Sequence, residues 1–206
     1  MPTVGIVDYG MGNLRSVEKG LLKVGVDAEL CADPGKLGSY DGLVLPGVGA
    51  FGDAIDHLRS RGMDSVLLEF IDSGRHLLGI CLGLQLLFDY SEEHGRNRGL
   101  GVIPGRVIRL PDTVKVPHMG WNVLNINHDV PIFKGIASGS RFYFVHSFYC
   151  EPTGEEWTFG TTSYGLEFTC AAGRDNVWGL QFHPEKSSLL GLEILANFGR
   201  MVAEGL

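Results

Sequence analysis

The sequence lacks the excess of basic residues that a nucleic-acid-binding surface requires. It has 17 Lys and Arg against 24 Asp and Glu among 206 residues, which gives a net charge of −7. No run of like charges exceeds three residues, so acidic or basic tails are not predicted either. We therefore expect no nucleic-acid partner.

Long apolar segments and metal-binding cysteine patterns are also missing. Residues 77–88 form the most apolar segment, and twelve residues are too few to span a bilayer. No cationic region followed by an apolar stretch begins the sequence, so neither a signal peptide nor membrane association is expected. The four cysteines and seven histidines have no C-x-x-C or H-x-x-x-H spacing, so we expect no metal and no cofactor. The cysteines are interpreted as reduced thiols of a cytoplasmic protein.

The sequence does contain, in its first half, a regular alternation of strand and helix patterns. Apolar strands are predicted at residues 4–8, 28–31, 42–45 and 76–80, and Asp33-Pro34-Gly35 is predicted to be a turn. Helices are predicted from the N-cap Asn13 to Gly25 and over residues 51–61, 64–73 and 82–90. This alternation indicates a parallel central sheet with right-handed crossovers.

The second half has a different pattern of short strands. These are predicted over residues 106–110, 141–145, 158–162, 167–171 and 177–181, and a last helix over residues 188–203. They indicate an antiparallel or mixed extension of the sheet. Without repeats or a separating linker, residues 1–206 are predicted to form a single α/β domain.

The segment Gly79-Ile80-Cys81-Leu82-Gly83 lies where a buried strand runs directly into a helix. Small residues two positions before and after Cys81 permit the strained turn of a nucleophile elbow, which holds the side chain out at the top of the sheet. A helix that begins there would stabilise a thiolate, and the N–H of Leu82 would donate to an oxyanion. The alternative is that Cys81 is a small buried apolar residue.

His183-Pro184-Glu185 follows another predicted strand and supplies an imidazole and a carboxylate two residues apart. Pro184 disfavours a helical conformation of His183, so His183 can face the thiol while Glu185 holds the other ring nitrogen. A cysteine nucleophile needs such a base and an orienting partner. Alone, this tripeptide is more typical of a solvated turn, but together with Cys81 it predicts a catalytic triad.

The loop Pro46-Gly47-Val48-Gly49 follows the third strand, at the edge where α/β sheets bind ligands. Glycine allows a backbone N–H to turn toward a ligand, or a peptide to flip. Gly47, Val48 and Gly49 are therefore predicted to supply further oxyanion donors beside Leu82. A plain tight turn is the alternative interpretation of this loop.

These motifs resemble those of the class I (triad) glutamine amidotransferases. Within that family, the chain is similar to the glutaminase subunits of imidazole glycerol phosphate synthases through residues 8–14, 46–51, 116–122 and 143–147. The resemblance extends from about residue 3 to residue 203. It implies a single-domain, flavodoxin-like α/β fold with a parallel central sheet flanked by helices.

The resemblance also implies an activity and a partner. Glutamine would be hydrolysed to glutamate and ammonia, and the ammonia would pass to a separate (β/α)8-barrel synthase subunit of a heterodimer. That subunit would make imidazole glycerol phosphate and aminoimidazole carboxamide ribotide in histidine biosynthesis.

Residue roles follow by position from the same resemblance. Cys81 would be the nucleophile, His183 the general base and then acid, and Glu185 the orienter. The substrate glutamine would contact Gln85, the carboxylate of Glu93 or its neighbour Glu92, and the backbone of Ser147 and Phe148. The interface with the partner would include Asn13, Trp121, Tyr143 and Lys186. The loop at residues 46–49 would complete the oxyanion hole when the partner is loaded.

Three other readings stay open at this point. An amidotransferase that serves pyridoxal phosphate or anthranilate synthesis is disfavoured by residues 116–122 and 143–147. A non-catalytic regulatory subunit would be favoured by the loss of Cys81, His183 or Glu185, and all three are present. An unrelated cysteine hydrolase with the same elbow is the third.

Overall fold

The computed structural model describes residues 2–205, and its strands follow the chain in the order β1 to β13. Their bounds are Thr3–Val7 (β1), Asp27–Cys31 (β2), Gly42–Leu45 (β3), His76–Ile80 (β4), Phe88–Ser91 (β5), Asn97–Arg98 (β6), Ile103–Arg109 (β7), His118–Ile126 (β8), Ser140–His146 (β9), Phe148–Pro152 (β10), Thr158–Ser163 (β11), Glu167–Arg174 (β12) and Val177–Leu180 (β13).

The α-helices lie mainly in the first half and at the C-terminal end. Their bounds are Leu14–Lys23 (α1), Pro34–Leu37 (α2), Phe51–Ser60 (α3), Met63–Asp72 (α4), Leu82–Leu86 (α5) and Ser188–Glu204 (α6). Short 3-10 turns occur at Pro131–Phe133, Glu155–Trp157 and Pro184–Lys186. Within residues 2–205, none of the helices has the length and apolar character needed to cross a membrane.

The sheet has a parallel part that places the site and a mixed, mostly antiparallel part that extends it. Its strand order is β2-β1-β3-β4-β13-β12-β10-β7-β5-β6. Neighbours from β2 through β13 are parallel, and β13 pairs antiparallel with β12. Strands β8 and β9 form an antiparallel hairpin that joins this sheet through β11. Because β4 and β13 are adjacent and parallel, the residues that follow each of them meet at one edge of the sheet.

Two apolar layers cover the two faces of the parallel strands. Side chains alternate along a strand, so Leu43 and Leu45 of β3 pack with α2, α3 and α4, whereas Val44 packs with α1 and α6. Both faces are covered, so every residue of β3 and β4 is buried, and all of them except His76 are apolar or glycine.

The predicted architecture is confirmed, with two local corrections and three further strands, β6, β8 and β10, that were not predicted. The helix predicted over residues 82–90 ends at Leu86, and β5 follows it. Residues 82–88 are all buried and offer no polar face, and the Leu87 carbonyl accepts from the N–H of Val102 and Ile103. The turn predicted at residues 33–35 is instead the start of α2, since the Asp33 carboxylate accepts from the Gly35 N–H at 2.9 Å.

Candidate active site

Cys81 occupies the sharp connection between β4 and α5. Its φ of 56° and ψ of −110° are a conformation that a non-glycine residue rarely adopts. A Cβ at Gly83 would lie 1.8 Å from the Leu45 carbonyl oxygen, and one at Gly79 would lie 2.9 Å from the backbone of Gly83. The two glycines of the G-x-C-x-G pattern are therefore required by close backbone packing around the strained turn.

His183 and Glu185 come directly after β13 and form a buried pair. Nδ1 of His183 lies 2.8 Å from Oε1 of Glu185, and the two side chains are 3% and 1% exposed. The backbone holds them in place, because the His183 N–H donates to the Tyr143 carbonyl and the Ser187 hydroxyl donates to the His183 carbonyl. Pro184 begins the 3-10 turn that carries Glu185 back toward the ring.

The tautomer of His183 follows from this pair. A carboxylate accepts hydrogen bonds, so Nδ1 carries the proton donated to Glu185 and Nε2 is left for the thiol. Within residues 2–205 no group hydrogen-bonds to Nε2 of His183. Burial lowers the pKa of His183, but interaction with Cys81 and with Glu185 outweighs it and raises that pKa to about 9. The imidazolium form of His183 is thus favoured at neutral pH.

Gln181, which the sequence analysis did not single out, connects the nucleophile to a predicted substrate contact. Its Nε2 lies 3.7 Å from Sγ of Cys81, and its Oε1 accepts from Nε2 of Gln85 at 3.0 Å. Nε2 of Gln85 also donates to the Phe148 carbonyl at 3.0 Å. An amide buried at the end of an otherwise apolar strand was the sequence signal that could have identified Gln181.

A cavity of about 270 Å³ opens over Cys81 and gathers most of the predicted site. Ten of the predicted residues line it: Val48, Gly49, Cys81, Leu82, Gln85, Glu93, Ser147, Phe148, His183 and Lys186. Glu185 is not among the lining residues and contacts Nδ1 of His183. Pro117, Val145 and His146 line the cavity as well and were not predicted.

The two adjacent carboxylates Glu92 and Glu93 have different hydrogen-bond partners. Oε2 of Glu93 accepts from the Phe51 N–H, at the start of α3, at 2.6 Å, and Glu93 lines the cavity. Glu92 is exposed and pairs with Arg106 at 3.1 Å. Of the two, Glu93 is the one placed beside Cys81.

The loop at residues 46–49 is packed tightly at its first glycine and open at its valine. A Cβ at Gly47 would lie 2.6 Å from the Tyr9 hydroxyl and 2.9 Å from Cβ of Leu82, so Gly47 and Leu82 are neighbours. The left-handed conformation of the loop falls on Gly49, with φ of 101°. Val48 has no positive φ and is exposed.

The four residues predicted at a partner interface lie in two places. The rings of Trp121 and Tyr143 are 6.2 Å apart on the β8–β9 hairpin, and Trp121 is 47% exposed. Lys186 lies at the cavity, in the turn at residues 184–186, and this turn packs against α1. Asn13 precedes α1 and accepts from the Ser16 hydroxyl.

The other thiols do not line this cavity. Cys31, Cys150 and Cys170 are buried and, like Cys81, form no disulfide. Burial raises the pKa of the Cys150 and Cys170 thiols, which keeps them protonated.

Comparison with known proteins agrees with the geometry. The chain matches the class I glutamine amidotransferase family over residues 5–202. The imidazole glycerol phosphate synthase subunit HisH of Moorella thermoacetica is 52% identical over 202 residues, which cover 98% of this chain and 96% of the relative. The subunit of the same name from Syntrophotalea carbinolica is 53% identical over 203 residues, covering 95% and 98%.

Solved structures show the same fold at lower sequence similarity. PurLQS from Thermotoga maritima has a TM-score of 0.77 at 20% identity, covering 98% of both chains. A crystal structure of a glutamine amidotransferase has a TM-score of 0.77 at 18% identity, covering 97% of this chain and 98% of the other. With a family match over nearly its whole length and relatives at half identity, this chain belongs to the class I glutamine amidotransferases.

Proposed function

We propose that this chain is the glutaminase subunit of an imidazole glycerol phosphate synthase. It hydrolyses glutamine and passes the ammonia to a (β/α)8-barrel synthase subunit in a heterodimer. That subunit makes imidazole glycerol phosphate and aminoimidazole carboxamide ribotide in histidine biosynthesis. The names of the relatives support this choice among class I amidotransferases.

The observation that carries the catalytic part is the convergence of two chain segments on one cavity. Cys81 leaves β4 at a strained φ, and His183 follows the adjacent strand β13 with its second nitrogen fixed by Glu185. A buried thiol used only for packing would need neither the strained turn nor an imidazole locked in one tautomer.

The first half of the reaction uses this pair as nucleophile and acid. The Cys81 thiolate attacks Cδ of glutamine, and the amide oxygen becomes an oxyanion. The N–H of Leu82 and an N–H of the loop at residues 46–49 stabilise that charge. His183 then gives the proton on Nε2 to the amide nitrogen, which leaves as ammonia, and a thioester remains on Cys81.

The second half returns the enzyme to its starting state. A water molecule attacks the thioester carbonyl while Nε2 of His183 takes its proton. The tetrahedral intermediate collapses, the C–S bond breaks, and glutamate leaves the regenerated thiolate. Glu185 holds the ring in the same orientation in both halves and stabilises each imidazolium.

The cavity offers groups for the amino-acid end of glutamine. Glu93 supplies a carboxylate for the α-ammonium group, and Gln85 with the backbone at Ser147 and Phe148 supplies polar contacts. A volume of about 270 Å³ fits one amino acid better than a larger ligand.

The partner face is proposed to be the exposed apolar surface beside the cavity. Trp121 is 47% and Met119 63% exposed on β8, and exposed aromatic and Met side chains are typical of protein interfaces. Lys186, at the cavity, and Asn13, before α1, are proposed to belong to the same interface.

A coupled assay tests the proposal. The chain is mixed with a barrel synthase subunit from a relative's complex, and glutamate release is measured with and without the nucleotide substrate of that subunit. We expect glutamate release that increases with the nucleotide, and product formation from glutamine without added ammonium salt. Glutamate release without transfer of ammonia to the barrel subunit would support the glutaminase activity. It would contradict the assignment to an imidazole glycerol phosphate synthase.

A further inference from the structure

Two histidines beside the active site form an ordered hydrogen-bond chain that the mechanism above does not use. His118 and His146 face each other across the β8–β9 hairpin, with Nδ1 of His118 2.9 Å from Nε2 of His146. Nδ1 of His146 lies 2.8 Å from the carbonyl oxygen of Phe148. At the other end, Nδ2 of Asn122 lies 3.3 Å from Nε2 of His118.

The direction of every bond in this chain follows from its last member. The Phe148 carbonyl can only accept, so Nδ1 of His146 is a donor and its Nε2 an acceptor. Nδ1 of His118 must then donate, and its Nε2 accepts from the amide group of Asn122. The same amide group donates to the Ser163 carbonyl at 2.9 Å, which fixes its orientation. Each imidazole is thus a neutral ring in a single tautomer.

The surroundings keep both rings neutral and immobile. His118 is stacked between Tyr164 and Phe144, at centroid distances of 4.1 and 5.1 Å. Burial lowers the pKa of His118 to about 4 and that of His146 to about 3, and the nearby His118 and His183 also lower the latter. Protonation of either ring would break the chain, because an imidazolium has no acceptor nitrogen.

The chain ends at the backbone that is proposed to bind glutamine. The Phe148 carbonyl accepts from both His146 and Gln85, which uses both of its lone pairs. The preceding Ser147 carbonyl accepts from the Leu110 N–H at 2.9 Å. His146 therefore fixes a short connection between β9 and β10 that lines the cavity over Cys81.

We propose that His146, held in one tautomer by His118, is a positioning residue that sets the Ser147–Phe148 backbone for binding glutamine. This inference rests on the proposed glutaminase function. His146 is not a second general base, since its Nδ1 donates to Phe148 and its Nε2 is occupied by His118. Its role is to hold the substrate-binding backbone, so its loss weakens glutamine binding more than the chemical steps.

The test compares variants of both histidines in the complex with the barrel subunit. We expect His146→Leu to raise the KM for glutamine roughly 3- to 10-fold, the effect of one net hydrogen bond, with a smaller change in kcat. His146→Asn keeps an N–H near the position of Nδ1 and should recover most of the lost affinity. His118→Phe keeps a stacked ring but leaves Nε2 of His146 without its donor, so the ring is held only through Phe148 and KM should rise by a smaller factor.

A double variant shows whether His118 acts through His146. The combination of His118→Phe with His146→Leu should have the KM of His146→Leu alone, because the second change has no chain left to break. His128→Leu, at an exposed histidine of the same protein, is the matched control and should keep the parent KM. Thermal melting measures folding, and synthesis from ammonium salt measures complex formation. If His146→Leu does not fold, the KM of His118→Phe provides the test instead.

The outcomes separate the two proposals. A parent protein with no glutaminase activity would reject the proposed function, and the inference with it. An active parent with an unchanged KM in His146→Leu, or a His146→Asn variant as impaired as His146→Leu, would reject the positioning role alone.

Discussion

The hydroxyl of Tyr9 donates a 2.9 Å hydrogen bond to the carbonyl of Pro46, and both groups are buried. This bond fastens the first residue of the loop at residues 46–49 to the end of β1. Burial, together with the proximity of Cys81, raises the pKa of Tyr9, so the hydroxyl remains a donor. A conformational change of the loop would therefore fall downstream of Pro46, at Val48 and Gly49, while its base stays in place.

Removing the Tyr9 hydroxyl should affect catalysis as well as stability. Tyr9→Phe deletes one buried hydrogen bond, at a cost of about 0.5–1.5 kcal/mol in the free energy of unfolding. Because the oxyanion donors then lie on a less firmly held loop, we expect the partner-stimulated rate to fall roughly 3- to 10-fold. Denaturant unfolding and stimulated glutamate release measure the two effects.

Tyr40→Phe is the matched control for that experiment. The Tyr40 hydroxyl donates to Oε1 of Glu29 at 2.6 Å, and neither residue lines the cavity over Cys81. This variant should lose a similar amount of stability and keep the parent rate. Equal rate losses in the two variants would mean that stability, not the loop, determines the effect.

The parallel half of the fold was predictable because its strands carry their own signal. β3 and residues 77–80 of β4 form uninterrupted apolar runs, which is what burial on both faces requires. β8 was not predicted as a strand, because only His118 and Leu124 of its nine residues are buried and no alternation results. β8 is a strand because it pairs with β9 and β11.

The convergence of Cys81, His183 and Glu185 was predictable for a similar reason, whereas the contacts around them were not. The glycines beside Cys81 and the proline beside His183 are local consequences of the geometry that these residues need. The residues next to Gln181 in the sequence give no comparable signal. A polar side chain in an apolar strand does not show which way it points. His118 and His146 are 28 residues apart, and only the register of the hairpin brings them together.

Substitution of Cys81 should separate the two activities of the complex. Cys81→Ala removes the nucleophile, so glutamate release should fall by several orders of magnitude. Synthesis by the barrel subunit from ammonium salt should persist. A glutamine analogue with an electrophilic carbon should modify Cys81 and spare Cys31, Cys150 and Cys170, which do not line the cavity. Mass spectrometry of the labelled peptides measures this, and equal labelling of all four thiols would contradict the assignment.

The pH dependence of turnover should reflect the pair of His183 and Glu185. With the pKa of His183 raised to about 9, the imidazolium that protonates the leaving amide nitrogen persists at neutral pH and is lost as pH rises through that value. The kcat should therefore decline above about pH 9. Glu185→Gln removes an attraction that favours the imidazolium, so this decline should move to lower pH.

The size of the loss in turnover should also distinguish His183 from Glu185. His183→Ala should nearly abolish turnover, because a general acid–base group contributes about 10²–10⁴-fold. Glu185→Gln should leave a measurable rate, since the orienting partner acts through His183. A Glu185→Gln profile that coincides with that of the parent, measured as kcat between pH 6 and pH 10, would reject this role for Glu185.

The adjacent carboxylates Glu92 and Glu93 provide an internally controlled test of substrate binding. Glu93→Gln keeps the size of the side chain but removes its charge, so we expect the KM for glutamine to rise at least 10-fold with the triad intact. Glu92→Gln loses only an exposed pair with Arg106 and should keep the parent KM. The reverse result would place the ammonium group of glutamine at Glu92.

The last prediction concerns the peptide at Val48. Glycine tolerates a positive φ and valine does not, so a flip that turns the Val48 N–H toward the oxyanion would be strained by about 1–3 kcal/mol if Val48 takes up the change. Val48→Gly should relieve that strain and raise the glutaminase rate without partner ligand roughly 5-fold or more, which lowers the stimulation ratio. Gly49→Ala is the opposing variant: its Cβ would lie 2.8 Å from Cε of Met11 at a φ of 101°, so basal and stimulated rates should both fall. Glutamate release at saturating glutamine, with and without the nucleotide ligand of the barrel subunit, measures both variants. A Val48→Gly protein with the parent's basal rate and ratio would move the switch away from this peptide, to Tyr143 or to the interface around Lys186.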